Sequence, residues 1–129
     1  MWKKILHRLR KIKLGIIKMT NKNEIWKDVE GFEGIYQVSN TGIVRRIYPN
    51  KIKILKQSNA GGRTGREYLY VNMSANGKYR SSSVHRLVAE AFCKKGPRQG
   101  EVDHIDGNKF NNNASNLRWM THLGNVRAY

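Results

Sequence analysis

The chain has 129 residues, 25 of them Lys or Arg against nine Asp or Glu, for a formal net charge of +16. That length suits one compact domain with an appendage, and 39% hydrophobic residues with three Trp, six Tyr and three Phe argue against wholesale disorder. The charge points to a polyanion, nucleic acid ahead of an anionic membrane; lone Cys93 excludes an internal disulfide framework and a four-cysteine zinc site, in keeping with a reducing cytoplasm.

Residues 1–22 form a basic extension. Residues 1–19 carry seven of the basic residues and no acidic one, with Ile5, Leu6, Leu9, Ile12 and Ile16 or Ile17 at roughly helical spacing. Three readings stand: a segment dispensable for chemistry, an accessory DNA-binding arm, or a targeting segment. Met19 offers an alternative start. No apolar run approaches the ~20 residues that span a bilayer, so a membrane-spanning protein is not expected.

From residue 23 to residue 60 the pattern predicts short antiparallel strands over Glu24–Val29, Ile35–Ser39, Ile43–Tyr48 and Lys51–Leu55. They are separated by Glu30-Gly31, Glu33-Gly34, Asn40-Thr41-Gly42 and Pro49-Asn50. No acidic residue falls between Ile35 and Arg66, while Arg45, Arg46, Lys51, Lys53, Lys56, Arg63 and Arg66 accumulate. Soluble surfaces mix signs, so this stretch reads as a phosphate-contacting face.

Ser58–Gly65 reads as a flexible connection. Tyr68–Ser74 and Lys78–Val84 flank Ala75-Asn76-Gly77, a hairpin signal because both central positions must tolerate positive φ. Val84, Leu87, Val88, Ala91 and Phe92 then switch to helical period, opened by Ser81 to Ser83 and stopped at Gly96-Pro97. Cys93 reads as a small core residue.

The chemistry concentrates in Glu101–Asn125. Val102-Asp103-His104-Ile105 and Leu117-Arg118-Trp119-Met120 read as strands, joined by a polar loop from Asp106 to Asn116 that is too long for a tight hairpin. A short helix N-capped by Thr121 follows and carries Asn125. Such a unit can bring Asp103, His104, Asn116 and Asn125 within reach of one point. A carboxylate and an amide oxygen are hard ligands that suit Mg²⁺ or Mn²⁺, and an imidazole beside them can take a proton from water near neutral pH. Asp106, Gly107, Asn108 and Asn111 to Asn113 read instead as loop formers.

Val84-His-Arg-Leu-Val-Ala-Glu-Ala-Phe92, Val102-Asp-His-Ile-Asp-Gly-Asn-Lys109 and Asn116-Leu-Arg-Trp-Met-Thr121 together resemble the phage-type HNH homing endonucleases. Ile25 to Arg45 resembles the nuclease-associated modular motif that commonly precedes that domain. The resemblance covers roughly residues 24–127. It implies an α+β fold: a small antiparallel N-terminal sheet over 23–60, then a ββα-metal nuclease domain over 61–129 with one divalent cation, Mg²⁺ or Mn²⁺. By position, Asp103 and Asn125 would ligate the metal and His104 would be the general base. Asn116 would hold the loop and orient the base. Asn125 stands where the family-naming His is often found and still offers an oxygen. His85 matches a recurrent position at the helix start, packing against the site or touching phosphate. With Arg86, Lys109 and Arg118 it completes the DNA-contacting candidates. His122 lies close to the site in sequence, as an exposed bystander or a phosphate contact.

The implied partner is double-stranded DNA, engaged by a monomer or weak dimer in the host cytoplasm, with nicking or double-strand cleavage as the outcome. Relatives of this kind often continue into a further DNA-binding segment, whereas only four residues follow Asn125, so long, highly specific site recognition is not expected. The competing reading is a catalytically inactive DNA-binding protein derived from such a nuclease, favoured equally by charge but not by the intact Asp103-His104 pair.

Overall fold

A computed structural model describes residues 23–60 and 67–127 of the protein. The readings of residues 1–22, and of Arg63 and Arg66, lie outside the described residues.

The N-terminal unit is a four-stranded antiparallel meander in the order β1 (Trp26–Asp28), β2 (Tyr36–Ser39), β3 (Val44–Ile47), β4 (Ile52–Ile54). All four fall inside the predicted stretches, trimmed at the ends where the turns begin. Alternation explains the packing: Tyr36, Val38 and Val44 are buried, while their neighbours Gln37 and Arg45 pair across the strands and stay partly exposed.

A three-stranded sheet follows, ordered β5 (Ser58–Ala60), β6 (Tyr68–Ala75), β7 (Lys78–Ser83). The expectation of a flexible connection from Ser58 fails for its first three residues, which pair Ser58 with Tyr70 and Ala60 with Tyr68. Their Ser-Asn-Ala composition masked a strand whose ladder is supplied by the longer β6 beside it. The Asn76-Gly77 hairpin is present, with φ of 53° and 76° at the two central positions.

Helix α1 (Val84–Phe92) starts where β7 ends. Ser83 sits at its N-cap but makes no side-chain cap bond, so the serines that were expected to open the helix serve instead as the last residues of the strand. The helix ends at Phe92, short of Gly96-Pro97, with the Cys93 N–H still bonded to the Ala89 carbonyl. Val84, Leu87, Val88 and Ala89 are buried. The helix packs on β2, β6 and β7 and also on the C-terminal ribbon of β8 (Glu101–His104) and β9 (Leu117–Met120). One core therefore runs from Val38 and Val44 through Val71, Met73 and Leu87 to Leu117.

Three hydrogen bonds tie the units further. Tyr36 Oη donates to the Ser74 carbonyl at 3.1 Å and accepts from the Ser74 N–H at 3.0 Å, and Trp119 Nε1 donates to the Ala89 carbonyl at 3.2 Å. The last element, α2 (His122–Arg127), has the expected cap: the Gly124 N–H donates to Thr121 Oγ1 at 3.0 Å. Among the described residues no helix is long and apolar enough to cross a membrane.

Candidate active site

In the β8–β9 ribbon Asp103 stands opposite Arg118 and His104 opposite Leu117. Successive side chains on a strand point to opposite faces, so Asp103 and His104 leave β8 on different sides, and both bound one cleft of about 610 Å³ at the end of the ribbon. Tyr68 from β6, His85 from α1, Lys109 from the loop and Asn125 from α2 line the same cleft. Helices α1 and α2 both contribute to its lining, through His85 and Arg86 and through His122, Asn125 and Val126.

His104 is 5% exposed and Asp103 4%. Nε2 of His104 lies 2.7 Å from Oδ1 of Asn112. Its ring is stacked with that of Tyr68 at 6.2 Å and tilted against that of His85 at 4.9 Å, and His85 stacks on Tyr68 at 4.8 Å. Burial, with the nearby His104 and the positive Arg86 as smaller causes, lowers the His85 pKa to about 4. His85 is therefore a neutral ring at physiological pH, with a buried Nδ1 that makes no hydrogen bond.

Asp103 Oδ2 accepts from Arg118 Nε at 2.9 Å in an ion pair whose arginine side is half exposed. Asn125 donates through Nδ2 to Glu101 Oε2 at 2.8 Å. That bond fixes the amide, leaving Oδ1 buried and unpartnered. A buried amide oxygen without a donor calls for a missing partner, and a cation is a fitting one.

No hydrogen bond joins Asn116 to His104, whose Nε2 faces Asn112 instead. Asn116 locks the loop: its Oδ1 accepts from the Asp106 N–H at 3.1 Å, and its Nδ2 donates to Asp106 Oδ1 and the Asn111 carbonyl, both at 2.9 Å. Asn111, the Asn108 N–H and Asn116 together hold the Asp106 carboxyl below the usual carboxylate range. The part of the expected Asn116 role that concerns the loop matches this geometry, while direct contact with the base comes from Asn112.

The basic candidates divide by environment. Arg45 is bound twice to Gln37 Oε1, at 3.0 and 2.7 Å, and lies 3.8 Å over the Trp26 ring. Arg46 donates to Tyr36 Oη and the Ser74 carbonyl, so it works as a clasp between sheets. Arg86 pairs with Glu90. Lys51, Lys53 and Lys56 are exposed on the N-terminal unit. Lys109 reaches over Tyr68 at the cleft.

Residues 82–127 match the profile of the family described as HNH endonuclease, and residues 24–74 match the NUMOD4 motif. The chain carries an HNH endonuclease domain behind a NUMOD4 motif. It is 45% identical over 101 residues to the DNA endonuclease I-HmuI of Bacillus phage SP01, covering 78% of this chain and 55% of that protein. It is 43% identical over 114 residues to an HNH endonuclease of Acanthamoeba polyphaga mimivirus, covering 84% of this chain and 27% of that one. The solved structure describing DNA binding and cleavage by I-HmuI superposes with a TM-score of 0.70 at 43% identity, over 81% of this chain and 56% of that chain. The α+β architecture is thus shared with an HNH enzyme, and the chain spans about half the length of that relative.

HNH nucleases generally use a divalent metal. The donors present in this HNH domain fit one: Asp103 supplies a carboxylate and Asn125 the buried, unpartnered amide oxygen on the same cleft. Among the described residues no group of three His, Cys, Asp or Glu gathers. A closed all-protein cage is not what an ion that keeps its waters and takes phosphate oxygens requires. Sequence reasoning passed over Asn112, which it grouped with the loop formers, Tyr68, which it placed in a strand without a role, and Glu101, which it left outside the strand predicted from Val102 although β8 begins with it. For Asn112 the only available signal was its place eight residues after His104 in a loop too rich in Asn to single one out.

Proposed function

We propose that this chain is a metal-dependent DNA endonuclease that hydrolyses phosphodiester bonds, in the manner of a phage homing enzyme. The observation that carries the reading is the convergence of His104, Asp103 and the unpartnered Asn125 Oδ1 on one cleft edged by Lys109. I-HmuI, similar over most of this chain, is named a DNA endonuclease.

Asp103 and Asn125 would hold one ion, Mg²⁺ or Mn²⁺. When bound it supplies neutralisation of the charge that develops on the phosphate and the departing oxygen. His104, fixed at Nε2 by Asn112, takes the proton of an attacking water through Nδ1. The water oxygen bonds to phosphorus as the P–O3′ bond breaks, and the departing oxygen takes a proton from solvent, leaving a 5′-phosphate and a 3′-hydroxyl. Asn116 keeps the loop closed behind His104, and Lys109 meets the backbone at the cleft. Lys51, Lys53 and Lys56 extend the positive surface along the N-terminal unit. One site per chain suits a nick, made by a monomer in the cytoplasm; cutting both strands takes a second copy or a second encounter.

The experiment is relaxation of supercoiled plasmid carrying flanking genomic DNA, with Mg²⁺ or Mn²⁺, for wild type beside His104→Ala. Metal-dependent nicking by wild type that the variant loses is expected. Salt-sensitive binding without product would instead mark a DNA-binding protein without catalysis.

A further inference from the structure

The catalytic loop and the N-terminal sheet are built into one another. The Ala114 N–H donates to the Asn40 carbonyl at 2.8 Å, so the turn between β2 and β3 pairs with the loop between β8 and β9. Gly42, in the same turn, has a φ of +93°, and a Cβ there would lie 2.9 Å from Asn112 Cβ and 3.1 Å from the Asn112 carbonyl oxygen. Only a glycine accepts both that conformation and that contact. The turn is itself held firmly: the Gly42 N–H donates to the Ser39 carbonyl, Gln57 Nε2 donates to the Gly42 carbonyl at 2.7 Å, and Asn40 Oδ1 accepts from the Ile25 N–H at 2.9 Å.

Asn112 is 4% exposed, and its Oδ1 faces Nε2 of an equally buried imidazole at 2.7 Å. An amide oxygen can only accept, so the ring proton of neutral His104 must sit on Nε2 and the lone pair on Nδ1. A base whose basic nitrogen is chosen by a neighbour loses rate when that neighbour goes, even if the fold survives.

We infer that Asn112 is a positioning residue that fixes the tautomer and aim of His104, and that the Asn40–Gly42 turn of the N-terminal motif holds Asn112 in place. The N-terminal motif is then a structural part of the hydrolytic site as well as a surface for DNA. The inference rests on His104 acting as the general base.

The test uses the full chain as wild type, Asn112→Leu, Asn112→Asp, Gly42→Ala and His104→Ala. Plasmid nicking with Mn²⁺ is measured as kcat and as KM for DNA, and long-range ¹H–¹⁵N spectra of the histidine rings report the tautomer. Wild-type His104 is expected as the Nε2–H form. Asn112→Leu should lower kcat by about 30- to 100-fold with KM for DNA within about twofold. Asn112→Asp, which retains an oxygen, should recover to within about tenfold of wild type, and Gly42→Ala should lower kcat in the same sense as Asn112→Leu. An Nδ1–H tautomer in wild type, a kcat for Asn112→Leu within about threefold of wild type, or effects of Asn112→Leu and Gly42→Ala on KM alone would overturn the inference. The wild-type spectrum decides even if a variant fails to fold. A wild type no more active than His104→Ala overturns the base role itself, a failure that the tautomer spectrum keeps separate from failure of the Asn112 contact.

Discussion

Glu101 at the start of β8 holds Asn125 of α2 through a 2.8 Å bond to Nδ2, and its other oxygen lies 2.6 Å from Nδ1 of His122. This one carboxylate therefore fixes two residues of a helix only six residues long, too short to be stable by itself. Glu101→Ala is expected to free the Asn125 amide to rotate and to weaken metal binding by about 10- to 100-fold, as loss of a ligand's supporting hydrogen bond typically does. The concentration of Mn²⁺ needed for half-maximal nicking measures it. An unchanged requirement would show that α2 is held without Glu101.

The same pair predicts a counterintuitive result for Asn125→Asp. A carboxylate is the stronger ligand for a hard cation, but here it would lose the Nδ2 donor and face Glu101 with like charge. The single variant should therefore bind metal no better than wild type, and adding Glu101→Gln should restore a donor and improve it. Calorimetric titration with Mn²⁺ separates the cases: tighter binding by the single variant would contradict the arrangement.

His85 gives the fold a pH dependence whose sign follows from its environment. Burial lowers its pKa to about 4 in the folded protein, against about 6.5 when exposed. The unfolded chain thus binds the proton more readily, and stability falls as the pH drops from about 6.5 towards 4. The full contribution, present above that range, is on the order of 3 kcal/mol. In urea titrations His85→Phe should show a shallower loss of stability across this window than wild type. Parallel curves would mean that the ring is solvated.

Much of this was legible in the sequence because period and turn chemistry are local. The four N-terminal strands, the Asn76-Gly77 hairpin, the helix from Val84 and the Thr121 cap each follow from residues within a few positions of one another. The encounters that make the site are not local. Glu101 meets Asn125 across 24 residues, and Gly42 meets Asn112 across the whole central sheet and helix. Ser58–Ala60 became a strand only because β6 offered an unpaired edge. The basic stretch misled in another way: sequence counts charges, and only packing shows that Arg46 spends its guanidinium on Tyr36 and Ser74.

Cys93 should be inert. Burial raises the pKa of its thiol, and Sγ lies 3.5 Å from the Leu117 carbonyl and 3.6 Å from that of Ala114. Since the thiolate is the reactive form, alkylation of the folded protein at neutral pH should run at least ~10-fold slower than that of a free cysteine and leave nicking unaffected. Rapid labelling would place the thiol in solvent.

Arg46 and Lys53 oppose each other directly on β3 and β4, and the register predicts opposite phenotypes for them. Arg46 donates to Tyr36 Oη at 2.9 Å and to the Ser74 carbonyl at 2.7 Å, and its guanidinium lies 5.2 and 4.8 Å from the Tyr36 and Tyr48 ring centres. Removing it unclasps the two sheets, so Arg46→Ala should cost about 1–3 kcal/mol of stability. Its salt dependence of DNA binding should change little, because the charge already faces the protein. Lys53 is exposed. Lys53→Ala should leave the unfolding midpoint in place, weaken DNA binding uniformly across sequences and reduce the slope of log affinity against log salt by about one. Urea unfolding beside salt-dependent binding of a labelled duplex measures both. The reverse pattern, a stable Arg46→Ala that has lost its salt dependence, would return Arg46 to the DNA-contacting face that its sequence neighbourhood suggested.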